Sequence, residues 1–250
     1  MRRLEGKVVI VAGARANIGL ATAVRLAEEG ASVVVGVHTK GGAGAVVKRI
    51  TDAGGHAVGV EFDARDEASI QAMVRKAVET YGGLDGIFVN FADLTMHAKD
   101  TNAVDIELEV FDHLVAVNLR GHFLCTRYAI PELLKRGGGS IVYTSSSAAF
   151  MGRGVRVTYA LTKNALLALM RHVASRWGKD GVRANAVAPG LVLSEKNRNH
   201  PDKDAVLAIT RSTRLGEPED IAAMVAMLIS SDGEWINGQA IAVDGGVTMR

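Results

Sequence analysis

Cysteine is almost absent from this chain of 250 residues: Cys125 stands alone, which excludes an intrachain disulfide and a cluster of thiolate metal ligands. Its apolar neighbours predict a buried, unreactive thiol. Excess charge is also lacking, because 29 basic residues face 27 acidic ones and leave a net charge of +2. So small a charge gives no reason to expect nucleic acid or an anionic membrane as a partner.

Long hydrophobic runs are missing as well. The best membrane candidate, residues 221–229, covers about half of a membrane span. The apolar run at 8–12 is too short for the core of a signal peptide. We therefore expect a cytoplasmic protein. The histidines that could hold a metal, His38, His97 and His200, are scattered and lack carboxylate partners, so no metal site is expected.

Two periodicities alternate along the chain, which is 48% hydrophobic. Apolar, often β-branched runs predict strands at 7–12, 32–37, 57–61, 86–90, 140–144, 183–187 and 240–243. Helical spacing predicts helices at 18–29, 43–53, 67–81, 105–128, 158–177 and 218–229. Continuously apolar strands are typical of parallel strands that are buried on both faces. The pattern predicts an α/β fold, a doubly wound Rossmann-type seven-stranded parallel sheet with helices on both faces, as a single domain over 1–250.

The polar stretch 193–214 receives no element in this prediction. Loops longer than about 12–15 residues are usually functional or mobile. We interpret 193–214 as a substrate lid.

A glycine-rich turn follows the first strand, over Gly13 to Gly19. Backbone N–H groups and the positive end of a helix dipole in such a turn suit a pyrophosphate. Asn17 stands where a further glycine is expected, and asparagine is the non-glycine residue that best tolerates a left-handed backbone. The turn therefore predicts a dinucleotide site.

The end of the second strand bears on which dinucleotide fits. An acid there would bind the ribose 2′-OH of NAD, but positions 36–40 contain none. Arg15 in the first turn can face the same place as His38, and a cation there suits a 2′-phosphate. We predict NADP(H) rather than NAD(H), with the alternative that both residues are ordinary surface positions.

Tyr159 and Lys163 lie one helical turn apart on one face of a predicted helix. Ser146 lies thirteen residues before the tyrosine, just after a strand, and Asn118 lies in the preceding helix. The carboxyl ends of strands in open α/β sheets border the ligand crevice. No Gly-x-Ser-x-Gly elbow surrounds Ser146, which argues against a Ser-His-Asp hydrolase.

With these residues, nearly the whole chain resembles the short-chain dehydrogenase/reductase family. The Tyr-x-x-x-Lys motif, the serine upstream and the Asn-Leu-x-Gly context carry the resemblance, together with Pro189-Gly190 and the closing Val-Asp-Gly-Gly. The resemblance implies a catalytic tetrad of Asn118, Ser146, Tyr159 and Lys163. It also implies cofactor contacts from residues that are spread along the chain, namely Gly13, Arg15, Asn17, Ile18, Gly19, His38, Asp63, Ala64, Asn90, Ala92, Tyr159, Lys163, Pro189, Gly190, Val192 and Ser194.

The sequence departs from the family pattern near the cofactor. Ala12 replaces a threonine and Asn17 a glycine, and Phe91 and Asp93 stand in a segment that usually reads Asn-Asn-Ala-Gly. The bulk of Phe91 and the charge of Asp93 put the local backbone path in question. The tetrad itself is unaffected.

The implied reaction transfers hydride between a nicotinamide and a small ketone or secondary alcohol, with Tyr159 as general acid and base. An ammonium about 4 Å away favours tyrosinate by roughly three pKa units, and burial opposes this, so we expect a smaller net lowering of the Tyr159 pKa. Ser146 would stabilise the developing oxyanion, Lys163 would also hold the nicotinamide ribose, and Asn118 would anchor a water.

The residues expected around the substrate mix apolar and cationic side chains: Phe91, Met96, His97, Phe150, Met151, Arg153, Arg156, Glu195, Arg198 and His200. They suggest a small substrate with a polar or anionic group. The alternative is that Arg153 and Arg156 point to solvent or to a subunit contact.

The resemblance further implies a homotetramer. One interface would use the helices at 105–128 and 158–177, and the other would use the last helix and strand. Leu166, Leu169 and Met170 are compatible with that, although they could equally belong to the core of one chain.

Two other functions stay open. A 3-oxoacyl-carrier-protein-type reductase would need a basic docking patch, for which Arg127, Arg136 and Arg171 are loose candidates. A non-catalytic NADP-binding regulator would explain the changes over 90–93.

Overall fold

Seven parallel strands form one sheet in the order β3-β2-β1-β4-β5-β6-β7. The computed structural model describes residues 2–194 and 198–249. The strands, β1 to β7 in chain order, are Val8–Ala12, Ser32–Val37, His56–Glu61, Gly86–Val89, Gly139–Thr144, Val182–Pro189 and Ala240–Val243. The predicted α/β, doubly wound single domain is confirmed.

Eight helices cover the two faces of the sheet within the described residues. Helices α1 to α8 are Asn17–Glu28, Gly44–Asp52, Glu67–Tyr81, Leu108–Val115, Gly121–Lys135, Val157–Trp177, Lys203–Ile209 and Pro218–Ile229. Leu26 of α1, Val46 of α2 and Ile221 of α8 belong to one buried layer. Ile70 of α3 and Met170 of α6 belong to the other.

The predicted helix at 105–128 differs from the structure. It consists of α4, a π-helical turn at Ala116–Arg120 and α5, which continues to Lys135. The π turn inserts one extra residue into the helical path, too small a change to disturb the apolar spacing from which one helix was predicted. Pro131 lies inside α5 on its exposed side, so the chain continues through a residue that usually ends a helix.

Part of the predicted lid is helical: α7 occupies Lys203–Ile209. None of the residues of this helix is buried. Glu195, which was expected near the substrate, lies outside the described residues, as do 196 and 197. The interpretation of 193–214 as a lid stays a prediction.

Cys125 is buried and unpaired, as predicted, and burial raises the pKa of its thiol. Leu166 and Met170 are fully buried and belong to the core of this chain. None of the helices in residues 2–194 and 198–249 combines the length and apolar character that a membrane span requires.

The sheet order predicts a ligand crevice at the carboxyl ends of the central strands. Strand β1 lies between β2 and β4, so the connections from β1 and from β4 run to opposite sides of the sheet. Ligands of open α/β sheets bind outside the carboxyl ends of the strands at such a switch point. The site therefore starts at the ends of β1, β4 and β5.

Candidate active site

The turn between β1 and α1 brings backbone atoms very close together. A Cβ on Gly13 would lie 2.4 Å from the Asn90 carbonyl oxygen, and a Cβ on Gly19 would lie 2.0 Å from the Gly13 oxygen. Asn17 has φ of +50°, which confirms the left-handed backbone predicted for it. Neither Gly13 nor Gly19 could carry a side chain, so the backbone of the turn is not covered by side chains at these two residues.

The start of α1 is electrostatically open. Its N-cap, Ala16, gives no side-chain hydrogen bond, and its first turn contains no acid. Ile18 and Gly19 lie in that first turn. The positive end of the helix dipole therefore meets no negative side chain from the first turn itself.

Asn90 ties three strands together just beyond the end of β4. Its Nδ2 donates to the Gly13 carbonyl at 3.2 Å, and its Oδ1 accepts from Thr144 Oγ1 at 2.9 Å. One amide thus links the ends of β1, β4 and β5. Asn90, which the resemblance implies as a cofactor contact, is thus held in place by two hydrogen bonds.

The far end of the crevice is a cavity of about 670 Å³ beside the ends of β2 and β3. His38, Asp63, Ala64 and Ala92, all of which the family resemblance implies as cofactor contacts, line this cavity. Hydrogen bonds from Arg65 hold the pKa of Asp63 below its usual value.

Arg15 reaches from the first turn to the loop after β2, where its Nη1 donates to Thr39 Oγ1 at 3.1 Å. The structure therefore brings together the first turn and the end of β2, as predicted. Glu61, at the end of β3, accepts a hydrogen bond from the Gly41 amide at 2.6 Å in the same loop.

Tyr159 and Ser146 meet at the other end of the crevice. Ser146 follows β5 and accepts a hydrogen bond from the Ala148 amide at 3.1 Å, which fixes its hydroxyl. Its hydroxyl also interacts with that of Tyr159, near the start of α6. The two predicted catalytic oxygens are therefore adjacent.

Lys163, one turn further along α6, is buried, with only 2% of its surface exposed. Its Nζ lies 5.8 Å from the centroid of the Tyr159 ring and donates to the Thr144 carbonyl at 2.8 Å. Burial lowers the pKa of Lys163 to about 7. The predicted side chain is in place, with its ammonium held against β5.

The predicted net lowering of the Tyr159 pKa is wrong. Burial raises the pKa of Tyr159, and the smaller lowering effects of Ser146, Arg156 and Arg153 do not overcome it. The expectation placed a full ammonium about 4 Å from the hydroxyl. Instead, Lys163 is turned to a backbone carbonyl and is itself partly discharged at neutral pH.

Asn118 lies in the π turn and is completely buried. Its Oδ1 accepts from the Asp93 amide at 2.8 Å, and its Nδ2 has no hydrogen-bond partner among residues 2–194 and 198–249. The tetrad residues thus come from three neighbouring elements. A buried amide donor of this kind can be satisfied by an ordered water.

The unusual residues after β4 are accommodated. Asp93 accepts from the Thr95 amide and hydroxyl at 2.7 and 2.6 Å, and its other oxygen lies 2.7 Å from His113 Nε2. Burial opposes ionisation of Asp93, yet the hydrogen bonds from Thr95 and His113 prevail and lower its pKa. The charge that put the backbone path in question is therefore matched locally.

Phe91 packs its ring 5.4 Å from that of Phe62 and 4.3 Å from that of His122, measured between centroids. It borders the adenine-side cavity and the core. Phe91 was expected near the substrate, but in the structure it packs against Phe62 and His122 beside the crevice.

The sequence did not indicate Asp100, a buried residue of the segment between β4 and α4. Its carboxylate accepts from the Thr158 and Tyr159 amides at 3.0 and 2.9 Å, and its carbonyl accepts from the Arg156 amide at 2.8 Å. Asp100 thereby fixes the start of α6 and with it the position of Tyr159. The only sequence signal is an acid in an irregular segment, which is not enough to find it.

His97 lies beside the tyrosine, with ring centroids 5.2 Å apart in an edge-to-face arrangement. Of the other residues expected around the substrate, Phe150 packs against the core and Met151 is half-buried, while Arg153 is exposed. Met96 is half-buried, and its carbonyl accepts from the Asp100 amide at 2.9 Å.

Beyond β6, the chain returns to the crevice. Pro189 ends the strand, and a Cβ on Gly190 would lie 2.9 Å from Asp244 Cβ. Val192 pairs with Gly216 in a parallel bridge. A second cavity, of about 640 Å³, lies on the α1 side and is lined by Asn17, Ser194 and Arg198. His200, which was expected near the substrate, accepts a hydrogen bond from the Asp202 amide at 3.2 Å through its ring.

Known proteins resemble the chain over its whole length. The model of a family described as enoyl-(acyl carrier protein) reductase matches residues 13–248. A probable short-chain type dehydrogenase/reductase of Bradyrhizobium diazoefficiens is 38% identical over 250 residues, which cover 99% of this chain and 89% of the relative. L-rhamnose 1-dehydrogenase (NAD(P)(+)) of a Sphingomonas species is 36% identical over 256 residues, with 100% and 99% covered. A solved structure of 7α-hydroxysteroid dehydrogenase complexed with NADH and 7-oxo glycochenodeoxycholic acid has a TM-score of 0.91 and 31% identity, and the match covers 98% of this chain and 95% of that one.

Proposed function

Because this chain belongs to the short-chain dehydrogenase/reductase family of oxidoreductases, we propose that it is an NADP(H)-dependent enzyme that interconverts a small ketone and a secondary alcohol. The observation that carries the proposal is the meeting of Ser146 and Tyr159 beside the buried Lys163. Relatives whose names or titles include NAD(P)+ or NADH support a nicotinamide cofactor.

The crevice fits such a cofactor. The first turn, Gly13 to Gly19, has no space for side chains at its two glycines and presents the open start of α1, which suits a pyrophosphate. His38, Asp63, Ala64 and Ala92 would hold the adenosine, with Asn90 as the floor. Pro189, Gly190, Val192 and Ser194 would border the nicotinamide. When bound, the cofactor supplies or accepts the hydride.

The protein's own residues handle the proton and the charge. Tyr159 donates a proton to the carbonyl oxygen during reduction, and its raised pKa keeps it protonated for that role at neutral pH. Ser146 donates a hydrogen bond to the same oxygen and stabilises negative charge that develops there. Lys163 holds the ribose from its buried position one turn along α6. Asn118 orders a water through its buried Nδ2, on the path by which Tyr159 is reprotonated.

Arg15 supports the preference for NADP(H). It is held by Thr39 next to the end of β2, which itself carries no acid, and Lys40 follows directly; the carboxylate of Glu61, at the end of β3, accepts from the Gly41 amide of the same loop. A 2′-phosphate would gain charge-assisted hydrogen bonds there, and these are lost with NADH.

A titration of the purified protein with NADPH and, separately, with NADH tests the cofactor. Nicotinamide fluorescence reports binding, and we expect NADPH to bind about tenfold tighter or more. Arg15→Gln should remove that preference and leave the affinity for NADH unchanged, whereas Arg75→Gln on the exposed side of α3 is the matched control. Tighter binding of NADH would contradict the assignment of Arg15. Failure to bind either would contradict the proposed function.

A reductase for acyl chains on a carrier protein is the second candidate, which the description of the matching family model favours. Comparing turnover of a 3-oxoacyl group on the carrier with turnover of the free thioester separates the two. A large preference for the carrier-bound form, lost on neutralising Arg127, Arg136 and Arg171, would favour this candidate.

The homotetramer and the cytoplasmic location stay predictions. Phe123 of α5 and Leu161 of α6 expose 48% and 55% of their surface, on the helices expected at one interface. Light scattering of the purified protein gives the oligomeric state directly.

A further inference from the structure

Arg156 has an unusual backbone conformation one turn before Tyr159. Its φ of 63° and ψ of 47° are left-handed, a region that residues with a side chain rarely occupy. The Arg156 amide donates to the Asp100 carbonyl at 2.8 Å, and the next amide donates to the Thr101 carbonyl at 3.3 Å. Such conformations persist where the surroundings enforce them, often at functional sites. The segment from β4 therefore fixes the direction in which the arginine leaves the backbone.

The guanidinium of Arg156 is unpaired within the part of the chain that the structure describes. In residues 2–194 and 198–249, no side chain or backbone group pairs with the guanidinium of Arg156 or of Arg153. Asp100, the acid that contacts the backbone of Arg156, is 1% exposed, and both of its carboxylate oxygens are occupied by amides of α6. Two cations therefore stand near the catalytic tyrosine, and within the described structure neither guanidinium is held in an ion pair.

Their field reaches the reacting groups. The charges of Arg156 and Arg153 both act to lower the pKa of Tyr159, although burial prevails. Burial first, and Arg156 next, lower the pKa of His97, against the opposing effect of Asp100 and Asp93. His97 is thus a neutral imidazole at pH 7, and within the described structure its buried Nε2 has no hydrogen-bond partner.

We propose that the substrate carries a carboxylate, and that Arg156, assisted by Arg153, binds this carboxylate while the ketone or alcohol oxygen faces Tyr159 and Ser146. The inference rests on the proposed function. A guanidinium presents a planar fork of donors that matches a carboxylate. The His97 ring packs edge-to-face against the Tyr159 ring, and its Nε2 is a buried polar atom without a partner in the described structure.

Paired probes isolate the effect of the charge. Methyl ketones with two to five methylene groups before a terminal carboxylate are compared with their methyl esters, which keep the ketone and remove the charge. The protein variants are Arg156→Gln and Arg156→Lys, and Arg75→Gln is the control. Glutamine at 156 meets the same left-handed backbone as arginine, so it removes charge without adding a new conformational demand. Steady-state oxidation of NADPH gives kcat and KM for each pair.

At one chain length or more, we expect kcat/KM for the acid to exceed that for its ester by about tenfold or more. Arg156→Gln should abolish this preference, mainly by raising KM for the acid, and Arg156→Lys should keep part of it because the charge remains without the fork. The acid-to-ester ratio is the decisive readout, since the effect of Arg156 on Tyr159 changes both substrates equally. Arg75→Gln should leave the ratio unchanged.

Equal kcat/KM for acid and ester at every length, or an equal loss for both in Arg156→Gln, would overturn the inference. If no ketone is reduced, calorimetric binding of the same pairs to the protein with NADP+ still decides. Acid-selective binding that disappears in Arg156→Gln would support the carboxylate site while the proposed reaction fails. Binding without preference, or no binding of either member of any pair, would overturn the site itself.

Discussion

The variant Lys163→Met tests whether burial of the Lys163 ammonium lowers the free energy of unfolding of the protein. Lys163 is 2% exposed, and burial lowers its pKa from 10.5 to about 7. Below pH 7 the lysine is charged in the folded and in the unfolded chain, so the folded state carries the full desolvation penalty. Between the two pKa values the folded state releases the proton and the unfolded state keeps it. The unfolding free energy of the wild type therefore rises with pH through this window.

The magnitude follows from the two pKa values. At 1.36 kcal/mol for each pKa unit, the penalty approaches about 5 kcal/mol in acid, and about 2.5 kcal/mol of it is relieved between pH 6 and pH 9. Methionine has a similar length and no charge, and it loses only the hydrogen bond to Thr144, a contribution of about 1 kcal/mol at any pH. Relative to the wild type, the variant should thus be most stable at pH 6 and lose about 2.5 kcal/mol of that advantage by pH 9.

Urea unfolding of the cofactor-free protein at pH 6, 7.5 and 9, at one protein concentration, measures this difference. Other titrating groups, such as Cys125 and Tyr143, are present in both proteins and cancel. Lys48→Met, at a side chain that is 74% exposed, is the control and should show no such pH dependence. A difference between Lys163→Met and wild type that stays constant from pH 6 to pH 9 would refute the reasoning.

Two further substitutions probe the crevice. Gly19→Ala would place a Cβ 2.0 Å from the Gly13 carbonyl oxygen, so it should cost about 1–3 kcal/mol in thermal unfolding and abolish NADPH binding; an unchanged melting temperature with intact binding would contradict this. Asp93→Asn removes the charged partner of His113 and should cost about 1.5–3 kcal/mol at pH 7. Because the pKa of Asp93 is lowered, the contribution should be present at neutral pH and disappear as the pH falls through that pKa. Equal urea midpoints for Asp93→Asn and wild type at pH 7 would show that the pair contributes nothing.

Those parts of the site that depend on local periodicity could be predicted from the sequence. The i, i+4 spacing places Tyr159 and Lys163 on one side of α6, and Ser146 follows a strand whose carboxyl end borders the crevice. The left-handed conformation of Asn17 also followed, from its place in the glycine-rich turn and from its residue type. Each of these inferences uses neighbours in the chain.

Contacts between distant irregular segments could not be predicted. Asp100 meets Tyr159 from 59 residues away, in a segment without helical or strand spacing. The sign of the Tyr159 pKa shift depended on where the Lys163 ammonium points and on how completely both groups are buried, neither of which spacing determines. For Tyr159 and Lys163, the sequence therefore indicated that the two residues lie together but not how burial changes their pKa values.

The hydrogen bonds of Asn90 bear on how this protein can change over evolutionary time. One side chain joins three strand ends through two hydrogen bonds, in addition to the backbone pairing of the sheet itself. Positions 91 and 93 take no part in these two bonds, and a phenylalanine and an aspartate occupy them in a chain whose sheet order is intact. New contacts toward a ligand can be acquired at these two positions one substitution at a time, without first rebuilding the sheet beneath them.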